Sequence, residues 1–447
     1  MKRSLQFLSV TALALVVLVG SLFAVSWLFW PTRAQEQALA MLTTPVPEPP
    51  GRNAFADVWL LRYDLPAEAR ERIAAEDVAR FNQRPAMPDD AAPAEPFVSG
   101  AEAGHREEKL PPSSDHGCGL RAPDCLGRVR NDPDKAAALL SAHAGLLQRS
   151  RDALEHNDYL RSRFRMQVDM PFAITAMSDG ATLMRIDAAL TFVRGERERG
   201  VEGACRSVVA WRRWMRQPDL LIDAMVGDAA IRGWLELQGQ MLAELPADMP
   251  LPAACRSLRE PPPLADDAMC RVIKREFEFS RPMFERDGAG GAATWGASTG
   301  RKIPFVYRPH ATQAMIAETM TWPCGEAAHR QRLADQPVTV PAPAARLRLE
   351  CVANSMGCIL NDIGRPAMAP YQHRLQDQRA RLNLMATLLW LREQPVDGRT
   401  LAQRVAARPV ALRQGRDIEV VEDRLRIPLF DAGEKAYWEL AVPETLR

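Results

Sequence analysis

The chain has 447 residues, with 57 lysine and arginine residues against 56 aspartate and glutamate residues, a net charge of +1. This length allows two or three domains, and 47% hydrophobic residues exclude collagen, a coiled-coil rod and a disordered chain. The balanced charge argues against a dedicated nucleic-acid-binding protein, which needs a basic surface. Only six of the 57 basic residues are lysine, and we interpret the arginine excess as compositional bias.

The first predicted element is a long apolar segment. Lys2 and Arg3 are basic, and residues 4–30 carry no charged side chain. A helix over 5–30 would be about 39 Å long at ~1.5 Å per residue, enough to span a hydrocarbon core of roughly 30 Å with some tilt. A cleaved signal peptide is the alternative, but its apolar region is typically ~7–15 residues. Trp27 and Trp30 are typical of an interfacial anchor, so we predict a retained transmembrane helix.

The charges that flank this segment predict its orientation. Lys2 and Arg3 precede it, so the positive-inside rule places a stub of residues 1–4 in the cytoplasm and the rest of the chain outside. Beyond the helix there are 57 − 2 = 55 basic and 56 acidic residues, which gives no reason for this part to coat a membrane or to bind nucleic acid. We predict an inner (cytoplasmic) membrane protein whose bulk is periplasmic.

The next region is rich in proline. Five prolines between residues 31 and 50 predict a tether over 31–52. A short apolar segment at 54–63 and a charged helix at 67–81 follow. Residues 84–116 are rich in Pro, Ala, Asp and Ser with little apolar periodicity, which predicts a flexible loop. Such a loop is either a domain boundary or a functional surface segment, and both alternatives stay open. The region 53–116 thus combines short helices with a loop.

Helical patterns dominate the centre of the chain. Asp132 and Pro133 are suited to the N-cap and the first position of a helix, and apolar residues at helical spacing continue to Leu154. His143 lies within this apolar stripe, where a lone histidine is more often a core residue than a ligand.

Three consecutive helices are predicted over 183–193, 201–215 and 220–245, as a helical hairpin arrangement without a repeat array. Their tryptophans are better explained as core residues than as a ligand box. These are Trp211, Trp214 and Trp234.

Further helices are predicted at 266–279, 312–320 and 367–391. The last is the longest periodic element, with a wide apolar stripe for a core. We expect a disulfide-tied helical domain over 117–395 and a small β-containing segment over 396–447.

The tail changes its periodicity from helix to strand. Three short strands at 417–421, 424–427 and 437–442 predict an antiparallel element. The fold class is therefore mainly α, with an N-terminal transmembrane helix, an irregular helical-hairpin domain and a small C-terminal antiparallel sheet.

All eight cysteines follow the apolar segment, and an even number in an oxidising compartment indicates disulfides. Cys118 with Cys125, and Cys351 with Cys358, would each close a short loop worth ~2–3 kcal/mol. The other four would pair among themselves in a connectivity that the sequence leaves open. They are Cys205, Cys255, Cys270 and Cys324.

The sequence around Ser298 matches the G-x-S-x-G pattern of serine hydrolases, in which a strand leads through a sharp turn into a helix. Here the motif ends a glycine-rich segment, 288–300, and Pro304 opposes a helix after it. His310 and His329 lie downstream as candidate bases, without the strand–helix alternation of a hydrolase. We interpret the segment as a loop and keep Ser298 as the one catalytic candidate.

The metal-binding patterns are incomplete. A zinc site at Asp115, His116, Cys118 and Cys125 lacks the second ligand pair usual in structural sites. Glu326-x-x-His329 is half of a di-iron motif whose second copy and further glutamates are missing. We predict no metal and no cofactor.

Three stretches carry a resemblance: 53–59, 124–130 and 354–364, the last followed by the 367–391 helix. Together they resemble uncharacterised membrane-anchored proteins of Gram-negative bacteria. The resemblance implies no activity and no functional residue.

Three functions are compatible with these patterns. The first is a periplasmic helical scaffold with a protein partner in a cell-envelope process, since an anchor and a disulfide-tied body occur without a catalytic constellation. The second is an envelope hydrolase that uses the 288–300 loop. The third is a periplasmic ligand-sensing domain, which would need a separate output partner because the cytoplasmic stub is too short.

Overall fold

The computed structural model describes residues 2–85, 96–111, 117–246, 249–264, 268–285, 307–341, 348–364, 368–431, 433 and 435–446. The chain is 64% helical, with a small C-terminal sheet, which confirms the predicted fold class. The helices of the first half are α1 Lys2–Phe29, α2 Arg33–Thr43, α3 Phe55–Trp59, α4 Ala67–Asn82, α5 Cys125–Asn131, α6 Pro133–Ala142, α7 Ala144–His156, α8 Met177–Val193, α9 Arg197–Trp214 and α10 Leu221–Ala243. Those of the second half are α11 Ala253–Arg256, α12 Ala268–Ser280, α13 Pro282–Glu285, α14 Pro309–Met320, α15 Glu326–Leu333, α16 Ser355–Gly364, α17 Ala369–Arg392, α18 Leu401–Ala406 and α19 Val410–Arg413.

Helix α1 is long and apolar enough over Ser9–Phe29 to cross a membrane. Its side chains remain outside the folded body over most of this length, and Val16 and Leu18 are more than half exposed. A helix with apolar side chains on all faces has no polar face to expose to water, so it needs an apolar environment.

The predicted tether over 31–52 contains a packed helix. Thr32 caps α2, because its hydroxyl accepts the Gln35 N–H while the Gln35 side chain accepts the Thr32 N–H, a capping box. Leu39 and Leu42 are buried against other helices. Proline spacing suggested an extended chain, but the run between Pro31 and Pro45 is long enough for three helical turns with one apolar face.

Most helices surround one large hydrophobic core, here called the main core. Helices α8, α9 and α10 are its centre and match the three predicted helices. Trp211, Trp214 and Trp234 are at most 1% exposed, which confirms them as core residues. A Cβ at Gly200 would lie only 2.9 Å from the Ala188 carbonyl oxygen, so glycine allows α8 and α9 to approach closely.

A second core packs α2, α12 and α14 together, and includes Leu42, Phe277 and Ile316. Helices α10 and α17 lie between the two cores, because Ala224 and the partly buried Leu375 contribute to the second one.

The C-terminal strands are β1 Glu419–Val421, β2 Arg424–Pro428 and β3 Tyr437–Ala441, in an antiparallel sheet of order β1-β2-β3. Leu425 pairs with Leu440, and Ile427 pairs with Trp438. All four side chains are buried in the main core. The β-containing segment thus shares its core with the helical domain that precedes it.

Two local expectations need correction. The helix that begins at the Asp132 cap ends at Ala142, and His143 forms the junction with α7. His143 is half-buried there and does not belong to the core. The loop predicted over 84–116 is only partly described, and its residues 96–111 pack on the body. Phe97 meets Phe81 edge to face at 5.2 Å and stacks near Trp59.

Candidate functional site

The sequence candidates for catalysis are not brought together among the described residues. Ser298 and the 288–300 loop lie outside the described ranges. His310 lies 2.7 Å from the Glu36 carboxylate, so it connects α14 to α2. His329 lies on α15, half-buried, and Glu326 is exposed at the start of the same helix.

The cysteines form four disulfides, so the two predicted local bridges are present. Cys118–Cys125 closes the turn before α5, and Cys351–Cys358 ties a turn to α16. The connectivity left open is resolved by the two longer bridges. They are Cys205–Cys255, from α9 to α11, and Cys270–Cys324, from α12 to the turn after α14.

These bridges also decide the metal hypotheses for the cysteines. Glu350, Cys351 and Cys358 gather within metal-ligand distance, but both sulfurs are consumed in a disulfide and offer no thiolate. Cys118 and Cys125 are unavailable to zinc for the same reason. Asp115 and His116 lie outside the described residues.

The best candidate for a binding site is a cleft of about 770 Å³ between α9, α12, α15 and α17, here called the arginine cleft. Its floor includes Gln372, Gln376 and Arg379, which lie on one face of α17 at i, i+4 and i+7. One wall is the proline-rich segment 261–263, and the end of α9 forms another with Met215.

The charge of the arginine cleft is strongly one-sided. Two acidic residues line it, Glu260 and Asp335, and Asp335 already accepts the Arg416 N–H at 2.7 Å. The lining arginines outnumber these acids three to one. They are Arg212, Arg216, Arg256, Arg271, Arg332 and Arg379. A concave surface with this excess of guanidinium groups concentrates anions and offers them forked donors.

Two buried polar atoms of the floor have no hydrogen-bond partner among the described residues. Arg379 donates through Nε to the Pro262 carbonyl at 2.9 Å and approaches Asp335 at 3.8 Å, but its Nη2 has no partner. The Oε1 of Gln372 also has no hydrogen-bond partner among the described residues. Both residues are at least nine-tenths buried. A buried donor or acceptor without a partner is costly. The Arg379 nitrogen, a donor, therefore favours an anionic ligand or water, whereas the Gln372 oxygen, an acceptor, favours a donor such as water.

The environment makes the cleft cations receptive to negative charge. Burial lowers the pKa of Arg212, the neighbouring Arg216 lowers it further, and Glu260 opposes both. Burial also lowers the pKa of Arg379, where Asp335 acts in the opposite direction. Both guanidinium groups remain charged at neutral pH. An anion in the cleft would offset the desolvation that lowers these pKa values.

Sequence reasoning missed this site because its arginines come from distant segments. Arg212 and Arg379 are 167 positions apart in the chain. The one local signal is the i, i+4 pair of Arg212 and Arg216, which places two cations on the same side of the α9 terminus. The excess of arginine over lysine was interpreted as bias, but part of it lines this cleft.

No family model, curated protein or solved structure matches this chain. The fold and the site together describe a mainly helical, disulfide-bonded protein with one N-terminal apolar helix and an arginine-lined cleft.

Proposed function

We propose that the protein is a single-pass membrane protein of the cytoplasmic membrane, with its N-terminus in the cytoplasm and its body in the periplasm. It serves there as a binding module of an envelope process, and the arginine cleft receives an anionic group of its partner. The contacts at the end of α1 support the anchor, and the cleft supports the binding role.

The end of α1 is built into the body. Ser26 is completely buried, and its hydroxyl accepts the Ala353 N–H at 3.0 Å and donates to the Glu350 carbonyl at 3.3 Å. The Arg308 guanidinium lies 4.4 Å from the centre of the Trp27 ring and donates to the Ser26 carbonyl. A cleaved signal peptide leaves no such contacts in the mature fold. They favour retention of α1.

The test of the anchor is a pair of C-terminal fusions and an N-terminal sequence. Alkaline phosphatase fused after Arg447 should be active and green fluorescent protein dark, because only the phosphatase folds in the oxidising periplasm. The purified protein should begin at or near Met1. A mature N-terminus near Ala34, or a bright fluorescent fusion, would contradict the anchor or its orientation.

The cleft supports binding of a carboxylate- or phosphate-bearing ligand. Planar guanidinium groups match both anions with two parallel hydrogen bonds, each charge-assisted. Its volume lies within the ~300–1,000 Å³ usual for ligand sites, large enough for an acidic peptide segment or a small polyanion. We infer that the anionic group is carried by an envelope protein, which makes the body a scaffold. A free anion is the second candidate and would make it a sensor.

Arg216 and Arg256 allow a clean test, because both are exposed and, within the part of the chain that the structure describes, neither side chain has a hydrogen bond or ion pair that holds the fold. The double variant Arg216→Gln, Arg256→Gln should weaken binding of pyrophosphate or a Glu-rich peptide to full-length protein by about tenfold for each contacted arginine. Arg199→Gln is the matched control, because Arg199 is an exposed arginine on α9 that pairs with Glu196 and does not line the cleft. Equal calorimetric affinities for all three proteins would exclude the cleft as an anion site.

Capture from detergent-solubilised membranes separates the two sources of the anion. A stoichiometric protein held by the wild type and by Arg199→Gln, but lost by the double variant, supports the scaffold. An empty lane beside tight calorimetric binding of the small anion supports the sensor.

A further inference from the structure

Helix α16 carries its apolar side chains on the outside of the body. Ile359 is 53% exposed and Ile363 is 70% exposed, whereas the polar Asn361 is 3% exposed. The turn before it continues this surface with Leu349 and Val352, which are 45% and 38% exposed. Such an arrangement is the reverse of a helix on a water-facing surface.

This surface is fastened to the end of α1. Ser26 hydrogen-bonds on both sides of the turn, to Glu350 and to Ala353. The Cys351–Cys358 disulfide then ties the same turn to the first half of α16. The position of α1 along the membrane normal therefore fixes the position of α16.

The depth follows from helix geometry. The apolar span Ser9–Phe29 has 21 residues, about 31 Å at ~1.5 Å per residue, which matches a hydrocarbon core of roughly 30 Å. Ser26 lies three residues before the end of this span, so about 4.5 Å inside the outer boundary. A segment in hydrogen-bond contact with Ser26 lies at that boundary too.

We propose that α16 and the preceding turn lie in the periplasmic interface of the bilayer, with Leu349, Val352, Ile359, Leu360 and Ile363 among the acyl chains. The occupant of this apolar surface is lipid, because the hydrogen-bonded anchor places the surface at the membrane without a further partner. Arg348 and Asp362, paired at 2.8 Å, provide the polar edge of the segment. Interfacial helices have this combination of a buried apolar face and a charged margin.

This inference rests on the proposed anchor, and photo-crosslinking can separate the two. The photoreactive amino acid benzoylphenylalanine is placed in the full-length protein in native membranes at Ile363, at Leu18 and at Val410. Leu18 is 57% exposed on α1 and reports the anchor, whereas Val410, 65% exposed on α19, is the matched exposed control. All three positions are exposed, so the substitutions leave the packing intact. The readout is the mass of each adduct.

Lipid adducts at Leu18 and Ile363, without one at Val410, are the expected result. A lipid adduct at Leu18 combined with none at Ile363 would overturn the interfacial position of α16 and leave the anchor standing. A protein adduct at Ile363, including a dimer of this chain, would replace lipid by a protein partner. Absence of the Leu18 adduct would contradict the anchor and the inference together.

Discussion

The main core and the second core differ in how much of their stability comes from apolar burial and how much from disulfides. Among the described residues, the main core buries 70 hydrophobic residues and the second core buries 11. Each core nevertheless has two disulfides. Cys118–Cys125 and Cys205–Cys255 lie in the main core. Cys270–Cys324 and Cys351–Cys358 border the second core. A small core gains too little from apolar burial to offset chain entropy, so covalent ties carry more of its stability.

Arginine use separates the regions as well. In the main core, buried guanidinium groups satisfy carbonyl oxygens at turns and helix ends. Arg185 donates to the carbonyls of Cys118 and Gly119, and Arg392 donates to those of Leu242 and Leu245. Burial lowers the pKa of Arg185 to about 10. Arg212 and Arg379 of the cleft also donate to carbonyl oxygens, those of Glu260 and Pro262, so the cleft arginines differ from Arg185 and Arg392 in lining a concave surface.

The largest expected effect on the free energy of unfolding comes from breaking a buried ion pair. Asp377 is completely buried and accepts hydrogen bonds from Arg416 at 2.5 Å and from the Phe430 and Asp431 N–H groups. Asp377→Ala leaves the Arg416 cation buried without its closest anion, and the free energy of unfolding should fall by about 3–5 kcal/mol. Urea denaturation in detergent measures this. The half-exposed pair of Asp431 with Arg374 is the control, and Asp431→Ala should cost at most about 1 kcal/mol.

Two disulfides of nearly equal span provide a matched test of the two cores. Cys205–Cys255 and Cys270–Cys324 are separated by 50 and 54 positions. Loop entropy therefore predicts a loss of about 4 kcal/mol for either double Cys→Ala variant. Amide hydrogen exchange should accelerate selectively over α2, α12 and α14 when the Cys270–Cys324 disulfide is removed. If both variants accelerated exchange evenly over the whole chain, the cores would not be separate cooperative units.

A smaller effect is expected where the anchor meets the body. Ser26→Ala removes the hydroxyl that holds the turn after Glu350, at a cost of about 1–2 kcal/mol for two hydrogen bonds. Exchange of the Ala353 amide should accelerate most. Ser21→Ala, on the exposed part of α1, should leave that amide unchanged. Equal protection of Ala353 in both variants would argue that α1 is not coupled to the body.

The smallest effect is a pH dependence at the boundary of the cores. Burial and the neighbouring Asp219 raise the pKa of Asp223 well above its ordinary value of 3.8. The folded state therefore holds a proton that the unfolded state releases, and stability falls as pH rises from about 3.8 through the raised pKa. Asp223→Asn should flatten this decline and still accept the Leu220 N–H. Asp132→Asn, an exposed helix cap, should leave the slope of stability against pH unchanged.

Several elements could be predicted because their signals are local. The Asp132–Pro133 helix start, the tryptophans of α9 and the α17 stripe follow from capping chemistry and periodicity within one segment. The extent of α2 and the break at His143 could not. Whether a short segment becomes a helix depends on the apolar surface it finds, and Leu39 and Leu42 find theirs on α12 and α14, far away in sequence.

The sequence alone determined that this protein has an apolar helix at its start, a mainly helical body and cysteines suited to disulfides, because composition and periodicity are properties of neighbouring residues. Only the tertiary structure decided which distant cysteines pair, which arginines face a cleft and which isoleucines remain outside. Those outcomes depend on contacts between segments that are far apart in the chain, 50 and 54 positions for the two longer disulfides and 167 positions for Arg212 and Arg379. No short-range pattern encodes the distances that such contacts impose.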